Sequence, residues 1–413
     1  MGELKKKTSK KRSVVSVSSR QANLKRKLRS HLASLGFKSK DGRLHASGDG
    51  KEIIRALHAA QRNERLHQNL TFIETAWPEL SRHFASGSDI DPSRIDPKLE
   101  LVKSGTWQSD LFRLASLTWA VPVSNGFGRR LRYLVWDNQN SKLIGLLAIG
   151  DPVFNLTARD QLIKWNAKQR GSRLVNVMDA YVLGALPPYN MLLGGKLVAS
   201  LVRTRDLYDD FLRAYGNTRG IISKRKKNAR LLIVTTSSSL GRSSIYNRLK
   251  LDKVQYFKPI GFTRGWGHFH IPDELFEDLR KFLREKGHRY ADRHRFGQGP
   301  NWRLRTTRAA LGELGLKDEI LWHGVQREVF MCEMATNSLK ILRKGSGRPY
   351  LRGLLCAKEV GALAVTRWMI PRAERMPEYK AWKADNLRSL LTEQNRESVN
   401  RNSQVIKMSA RRS

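Results

Sequence analysis

Two apolar segments on either side of a short polar turn place the strongest constraint on how this chain can fold. Leu131–Asp137 (LRYLVWD) and Lys142–Gly150 (KLIGLLAIG) are dominated by apolar side chains, and Asn138–Asn140 separates them. Apolar runs of this length around a polar turn predict a β-hairpin. A third apolar run, Val177–Leu186, is ended by Pro187 and predicts a buried strand. The middle of the chain is therefore expected to contain a β-sheet.

Helical spacing follows these strands along the chain. Between residues 193 and 215, apolar residues recur three or four positions apart, and Gly216 ends the run. Residues 230–236 then predict another strand, a short helix follows, and residues 254–271 predict a strand pair. Residues 272–287 have the pattern of an amphipathic helix. Strands and helices mixed in this way predict an α+β fold with a mixed β-sheet core.

The charge and apolar patterns divide the chain into five predicted segments. They are a basic flexible arm (1–50), a helical N-terminal region (51–124), an α/β core (125–287), a basic and mainly helical C-terminal region (288–391) and a disordered tail (392–413). The core is thus expected to carry helical, basic extensions at both ends.

A large surplus of positive charge predicts a polyanionic partner. Lys and Arg number 77 against 37 Asp and Glu, a formal net charge of +40. A surface this basic attracts nucleic acid, because each phosphate neutralised releases condensed counterions. We expect nucleic acid, DNA ahead of RNA, as the partner. A very soluble surface without such a partner is the alternative.

The composition also indicates where the chain works. No apolar stretch reaches the length that spans a bilayer, and no apolar segment follows the charged N-terminus as in a secretory signal. Two cysteines, Cys332 and Cys356, are too few for a disulfide framework or a cysteine-based zinc site. The sequence therefore predicts a cytoplasmic protein with no membrane partner.

The predicted order of hairpin, strand, helix, strand, short helix and strand pair resembles the GNAT family of acetyl-coenzyme-A-dependent acetyltransferases. That resemblance implies a GNAT-like topology and a pyrophosphate site at the start of the helix after the buried strand, where Gly194 and Gly195 lie. Leu192 stands where the family has a glycine and would crowd a phosphate. Tyr256 lies one residue away from the family's tyrosine acid, so a packing role is expected. No cofactor is predicted.

A second resemblance covers about residues 125–335. The blocks LRYLVWD, KLIGLLAIGDPVFNLTARDQLIKW, RDLYDDFLRAYG, IGFTRGWGHFH, GPNW and WHGVQREVF look, in type and order, like the DruA family of Druantia anti-phage defence proteins. The resemblance implies a bacterial defence component that acts beside a large helicase-like partner and other Druantia subunits. It implies no particular reaction.

Three groups of residues are candidates for nucleic-acid contact. In GFTRGWGHFH, cationic and aromatic side chains alternate with glycines, so a base could stack on tryptophan while arginine binds a phosphate. The other two groups are clusters of Lys and Arg, and arginine forks match phosphate oxygens. The alternatives are a tight glycine-rich turn and solvated basic surfaces. The residues are Arg264, Trp266 and His268; Lys224, Arg225, Lys226 and Lys227; and Arg293, Arg295, Arg303, Arg305 and Arg308.

The competing hypothesis is that the chain is an enzyme. On a helix, His323 and Arg327 would share a face and, with Glu328, could combine a general base with an anion clamp. A divergent transferase or a metal-dependent nuclease is the runner-up function, the nuclease drawing on Asp137, Asp151 and Asp179. His268 and His270 could share a face of a strand, but no third ligand lies at a supporting spacing, so no metal is predicted. No Walker-type loop occurs. A scaffold for protein assembly is the third reading.

Overall fold

The computed structural model describes residues 19–40, 43–46, 51–123, 128–219, 226–292, 302–316 and 318–392. These residues divide into two compact units. The first, called the helical unit, contains the described residues up to 64 and those of 264–326. The second, called the sheet unit, contains the described residues of 65–263 and 327–392.

The strands are short except in the centre of the chain. In chain order they are β1 Phe37–Lys40, β2 Arg43–Ala46, β3 Pro97–Leu101, β4 Arg130–Asp137, β5 Lys142–Gly150, β6 Val177–Ala185, β7 Thr218–Arg219, β8 Lys226–Lys227, β9 Ile233–Ser237, β10 Lys250–Leu251, β11 Val254–Gln255, β12 Lys258–Phe262 and β13 Glu328–Glu333.

The helices range from six to 17 residues. In chain order they are α1 19–34, α2 Lys51–His67, α3 Leu70–Leu80, α4 Trp107–Ser116, α5 Thr157–Ile163, α6 Ala167–Arg173, α7 Gly194–Ser200, α8 Arg205–Tyr215, α9 Asp273–Glu285, α10 Trp302–Glu313, α11 Ser338–Lys344, α12 Ala357–Ala364, α13 Ile370–Arg375 and α14 Asn386–Leu391. None of the helices described here combines the length and the apolar composition needed to cross a membrane.

A seven-stranded mixed sheet organises the sheet unit. Its strand order is β12-β13-β9-β6-β5-β4-β3. Every neighbouring pair is antiparallel except β6 and β9, which run parallel and pair over three positions, from Val177 opposite Ile233 to Asp179 opposite Thr235. The parallel pair requires a crossover, which α7 and α8 supply. The predicted α+β class and the mixed sheet are confirmed.

Alternation along the central strands creates two apolar faces. On β4, Tyr133 and Val135 contribute to one hydrophobic core, and Leu134 between them contributes to another. The first core includes residues of α7, α8 and α12, and the second includes residues of α3, α4 and α14. Because β5 is covered on both sides, all of its residues after Lys142 are buried. This explains the continuous apolar run KLIGLLAIG.

The helical unit buries apolar residues of α1, α9 and α10. Leu24, Leu28 and Leu32 recur every four residues on α1 and are all buried, as is the apolar face of α9 around Leu279. Lys27 on α1 binds the carboxylates of Glu274 and Asp278 on α9, both at 2.7 Å. These hydrogen bonds raise the pKa of Lys27 above its usual value.

The structure corrects the predicted flexible arm where it can be compared. Residues 19–34 form α1, because the three leucines spaced four apart create an apolar stripe that the surrounding lysines and arginines obscured. Residues 37–40 and 43–46 form β1 and β2, which pair with each other. Residues 1–18 of the arm and 393–413 of the predicted tail lie outside the described residues.

The C-terminal region, predicted to be mainly helical, also contains a strand. Residues 328–333 form β13, an inner strand between β9 and β12. A short buried run such as VFMC fits a helix or a strand equally well when only periodicity is considered. The placement of His323 and Arg327 on one helix is therefore wrong, because residues 323–327 are not helical and lead into β13.

Candidate nucleic-acid interface

Two glycines in left-handed conformation fix the backbone of the GFTRGWGHFH segment. Gly265 has φ +69° and Gly324 has φ +71°. A Cβ on Gly265 would lie 2.8 Å from the carbonyl carbon of Gly324, so no side chain fits there. The amide of Gly324 donates to the carbonyl oxygen of Gly265 at 3.0 Å. The two backbones therefore meet closely, and this contact sets the direction of the residues beside them.

Trp266 and Trp322 lie opposite one another across this contact. They form an antiparallel β-bridge, and the amide of Gly267 donates to Leu321 at 2.9 Å. On the other side, the amide of Leu44 on β2 donates to the carbonyl oxygen of Trp322 at 3.0 Å. Residues directly opposite in an antiparallel pairing extend their side chains to the same face. Trp266 is 37% exposed and Trp322 half-buried, so this face presents indole surface to solvent.

Arg264 supplies a cation next to the exposed indole. It is exposed, and within the described part of the chain it has no carboxylate in ion-pair distance. Its charge is thus available to an external anion. Of the predicted contact residues, Arg264 and Trp266 are the two that the structure places together with free surface.

The histidines of the same segment lie in a turn instead of on a strand. The amide of Ile271 donates to the carbonyl oxygen of His268, so the predicted shared strand face for His268 and His270 is wrong. Burial lowers the pKa of both imidazoles to about 4. Phe269 packs edge-on against His323 at 4.6 Å, and His323 Nδ1 accepts from the amide of Val325 at 3.1 Å. The imidazoles of His268 and His270 are therefore neutral at physiological pH.

The arginines of α10 differ in what they bind. Arg303 pairs with Asp273, donates to the carbonyl oxygen of Ile271 at 2.7 Å and stacks over Phe276, so its guanidinium holds α9 and α10 together. Arg308 pairs with Asp318. Arg305 is exposed. The first two are therefore engaged inside the molecule, which weakens the prediction that they meet phosphates.

Of the remaining predicted cations, only some lie among the described residues. Lys226 and Lys227 form β8, which pairs with β7, and Lys226 is exposed. Lys224, Arg225, Arg293 and Arg295 lie outside the described residues.

The catalytic candidates of the sheet unit have structural partners. The carboxylate of Glu328 accepts from the amide of Ser243 at 3.1 Å and from the side-chain amide of Asn247, which anchors the 243–247 turn. Burial raises the pKa of Tyr256, whose ring belongs to the core. Burial lowers the pKa of Arg327.

Packing accounts for Gly194 in the predicted cofactor turn. A Cβ on Gly194 would lie 2.6 Å from the carbonyl oxygen of Tyr189, and its amide already donates to that oxygen at 2.8 Å. The amide of Lys196 donates to Leu193. Amides that bind the chain itself cannot also bind a pyrophosphate.

The three aspartates considered for a nuclease do not lie at one place, because Asp151 and Asp179 are near one end of β5 and Asp137 is at the other. Asp137 and Asp179 pair with opposite ends of β5, at Lys142 and Gly150. Asp137 accepts from Tyr189, and Asp179 accepts from Thr235 at 2.7 Å. Asp151 pairs with Arg129 at 2.7 Å. Among the residues that the structure describes, no cluster of three or more His, Cys, Asp or Glu side chains could hold a metal ion.

Comparison with known proteins identifies the family. A family model described as "Druantia protein DruA" matches residues 48–344, more than half of the chain. The chain belongs to the DruA family. A Druantia protein DruA from Escherichia coli (strain UMEA 4076-1) is 62% identical over 375 residues, which cover 91% of this chain and 93% of the relative. No solved structure matches, so the GNAT-like topology stays a prediction.

Membership of the family confirms the resemblance to DruA proteins and the role in anti-phage defence that it implies. This DruA-family chain has a role in anti-phage defence. Sequence reasoning missed Trp322 as the partner of Trp266, although both tryptophans lie within two residues of a glycine in left-handed conformation. A glycine within two residues of each tryptophan was the signal that could have paired them.

Proposed function

We propose that this DruA-family chain binds nucleic acid in the bacterial cytoplasm as part of a Druantia defence system, with phage DNA as the first substrate to test. The observation that carries the proposal is the exposed Arg264 beside the exposed Trp266, on a backbone fixed by Gly265 and Gly324.

The two side chains supply complementary contacts. An indole face stacks on any base, and stacking contributes about 1–3 kcal/mol per base. A guanidinium binds phosphate oxygens in a two-point geometry. A rigid backbone lowers the entropy lost when the two contacts form together. The combination favours a strand whose bases are accessible.

The charge of the whole chain supports the same partner. A net charge of +40 raises the local concentration of any polyanion and accelerates its association. This contribution is independent of sequence and weakens with salt. Affinity is therefore expected to come from many cations, and orientation from Arg264 and Trp266.

The test is a salt titration of binding to single-stranded, double-stranded and forked DNA. Trp266→Ala should weaken binding to single-stranded DNA by about 1–3 kcal/mol without changing the slope of log affinity against log salt. Arg264→Ala should lower that slope by about one phosphate contact.

Arg213→Ala is the matched control for the loss of one charge. Arg213 is exposed on α8 and pairs with Asp210 within its own helix, so removing it should change affinity little. If Arg264→Ala and Trp266→Ala bind like the control, this site is not the interface. If nucleic-acid-free wild-type protein binds no DNA or RNA at low salt, the proposed function itself is wrong.

Action beside a helicase-like subunit is the second part of the proposal and follows from the family resemblance. Co-purification of the two subunits after nuclease treatment tests it. Loss of the association after that treatment would mean that nucleic acid, and not protein contact, joins them.

The transferase alternative has one supporting observation: β6 and β9 run parallel, and their backbone register ends at Asp179 and Thr235. A rise in melting temperature with acetyl-coenzyme A would support it. The occupied amides around Gly194 lead us to expect no shift.

A further inference from the structure

Two large apolar side chains stand in solvent on the loop that follows β5. Val153 is 63% exposed and Phe154 is 45% exposed. They are neighbours in residues 151–156, which we call the Phe154 loop. An isolated exposed apolar residue needs no explanation, but two adjacent ones on a fixed loop do.

A fully buried arginine fixes this loop. The guanidinium of Arg159, on α5, donates to the carbonyl oxygen of Val153 at 3.0 Å and to that of Phe154 at 2.9 Å. Its Nε donates to Asp160 at 2.9 Å. Burial of a charge is costly unless every donor is satisfied, and burial lowers the pKa of this guanidinium. The clamp turns both carbonyl groups inward and leaves the two apolar side chains outside.

Asp160 is the centre of the clamp. Besides Arg159, its carboxylate accepts from the indole of Trp165 at 2.9 Å and from Arg170 at 3.1 Å. It also accepts from the amide of Leu156, at the end of the loop, at 3.1 Å. The guanidinium of Arg170, on α6, lies 4.6 Å from the centre of the Phe154 ring. The loop, α5 and α6 are thus joined around one carboxylate.

Once the ion pairs that the structure describes in residues 151–176 are taken into account, the charges that remain unpaired there are positive. Asp151 and Asp160 are the two acids of residues 151–176, and both bind arginine. Lys164 and Lys168, which follow α5 and lie on α6, are exposed and have no carboxylate in ion-pair distance among the described residues. An exposed apolar tip in a segment whose exposed lysines have no carboxylate partner in the described part of the chain suits nucleic acid, in which stacked bases lie between rows of phosphates. A pocket on a protein partner would suit the apolar tip alone.

We propose that the Phe154 loop is a wedge that inserts the Phe154 ring between weakly stacked bases of a nucleic acid, while Lys164 and Lys168 meet the adjacent phosphates. Apolar wedges act at steps that unstack easily. The inference deepens the proposed function, on which it rests, and names its substrate class: duplexes with a junction, fork or mismatch, in preference to fully paired DNA.

The test uses the full chain and forked DNA that carries 2-aminopurine at the junction. Wild-type protein should increase 2-aminopurine fluorescence, because a wedge separates the probe from its neighbour. Phe154→Ala should abolish most of that increase and reduce affinity for the fork about fivefold or more. Affinity for fully paired duplex and the salt slope should stay unchanged, because phenylalanine carries no charge.

Two further variants separate the wedge from general damage. Tyr350→Ala removes another exposed aromatic side chain (62%) from the sheet unit, outside the GFTRGWGHFH segment, and should leave the junction signal intact. Arg159→Lys keeps the positive charge and leaves Phe154 in place, but lysine cannot bind the carbonyl groups of both Val153 and Phe154. It should therefore reduce the junction signal although the Phe154 ring is still present. Circular dichroism checks that each variant is folded.

The outcomes are distinguishable. A Phe154→Ala protein with wild-type fork preference and fluorescence overturns the wedge and leaves the proposed function standing. A wild-type protein that binds no nucleic acid overturns both. If Phe154→Ala keeps all nucleic-acid properties but loses a Druantia subunit in co-purification, the loop is a protein-docking element and the proposal is wrong.

Discussion

At the scale of single residues, the contact between Gly265 and Gly324 decides whether the candidate interface exists. Gly265→Ala introduces a Cβ 2.8 Å from a backbone carbon at a φ of +69°. We expect a loss of about 1–3 kcal/mol in the free energy of unfolding, from strain and from the displaced backbone. Urea denaturation measures the loss, and single-stranded DNA affinity should fall with it.

Gly312→Ala is the control for this substitution. Gly312 lies on α10 in the same unit, and nothing lies within 4 Å of the Cβ that it would gain. Alanine favours a helix, so stability should rise by about 0.5–1 kcal/mol. Equal effects of the two substitutions would show that the close approach at Gly265 is unimportant.

His270 makes the helical unit sensitive to acid. Its pKa is lowered by burial from 6.5 to about 4, so between these values the unfolded chain binds more protons than the folded one. Stability is complete above pH 6.5 and falls as the pH drops toward 4, by on the order of 3 kcal/mol. His270→Gln should flatten this dependence in urea denaturation at pH 7, 5.5 and 4.5.

The His270→Gln variant must be compared with the wild type because Asp179, in the sheet unit, changes stability with pH in the opposite direction. Burial raises the pKa of Asp179 to about 6, so its unfavourable charged form disappears as the pH falls below 6. A wild-type curve therefore contains the contributions of His268, His270 and Asp179. An unchanged slope in His270→Gln would mean that this imidazole titrates normally.

At the scale of elements, the sequence correctly predicted the strands and helices whose apolar spacing fits only one kind of secondary structure. The β4–β5 hairpin, β6 and the amphipathic α9 lie where the alternating or helical spacing put them. The 193–215 run is two helices instead of one, because the hydroxyl of Thr204 accepts from the amide of Leu207 and starts α8. The strand β13 was missed because short apolar runs have no clear period.

Helix α1 provides a test at this scale. Leu28 is fully buried, and Leu28→Ala should cost about 2–5 kcal/mol by leaving a cavity. Ser30→Ala, on the exposed side of the same helix, should cost much less. Thermal unfolding compares them. Equal melting temperatures would support the original reading of this segment as a flexible arm.

At the scale of the whole molecule, the net charge of +40 predicts opposite responses to salt. Nucleic-acid affinity should fall about tenfold or more between 50 and 200 mM salt, because counterion release weakens. The melting temperature of the protein alone should rise over the same range, because salt screens repulsion among its cations. A falling melting temperature would mean that internal ion pairs outweigh that repulsion.

The candidate site was only partly predictable from the sequence. Charge and composition pointed to Arg264 and Trp266, and the structure gives both residues free surface. Burial and pairing are tertiary properties, so the sequence could not show that Arg303 binds Asp273 or that His268 is neutral. The Phe154 loop was invisible for the same reason, since its exposure depends on the Arg159 clamp.

The position of β13 between β9 and β12 has a consequence for synthesis on the ribosome. At about 5–20 residues per second, translation takes roughly 4–14 seconds to pass from the end of β12 to the end of β13. During that interval β9 has an open edge, and β12 has no neighbour to bind. A nascent chain in this state can capture foreign strands, so chaperone occupancy should peak until codon 333 has been decoded and its residue has left the exit tunnel.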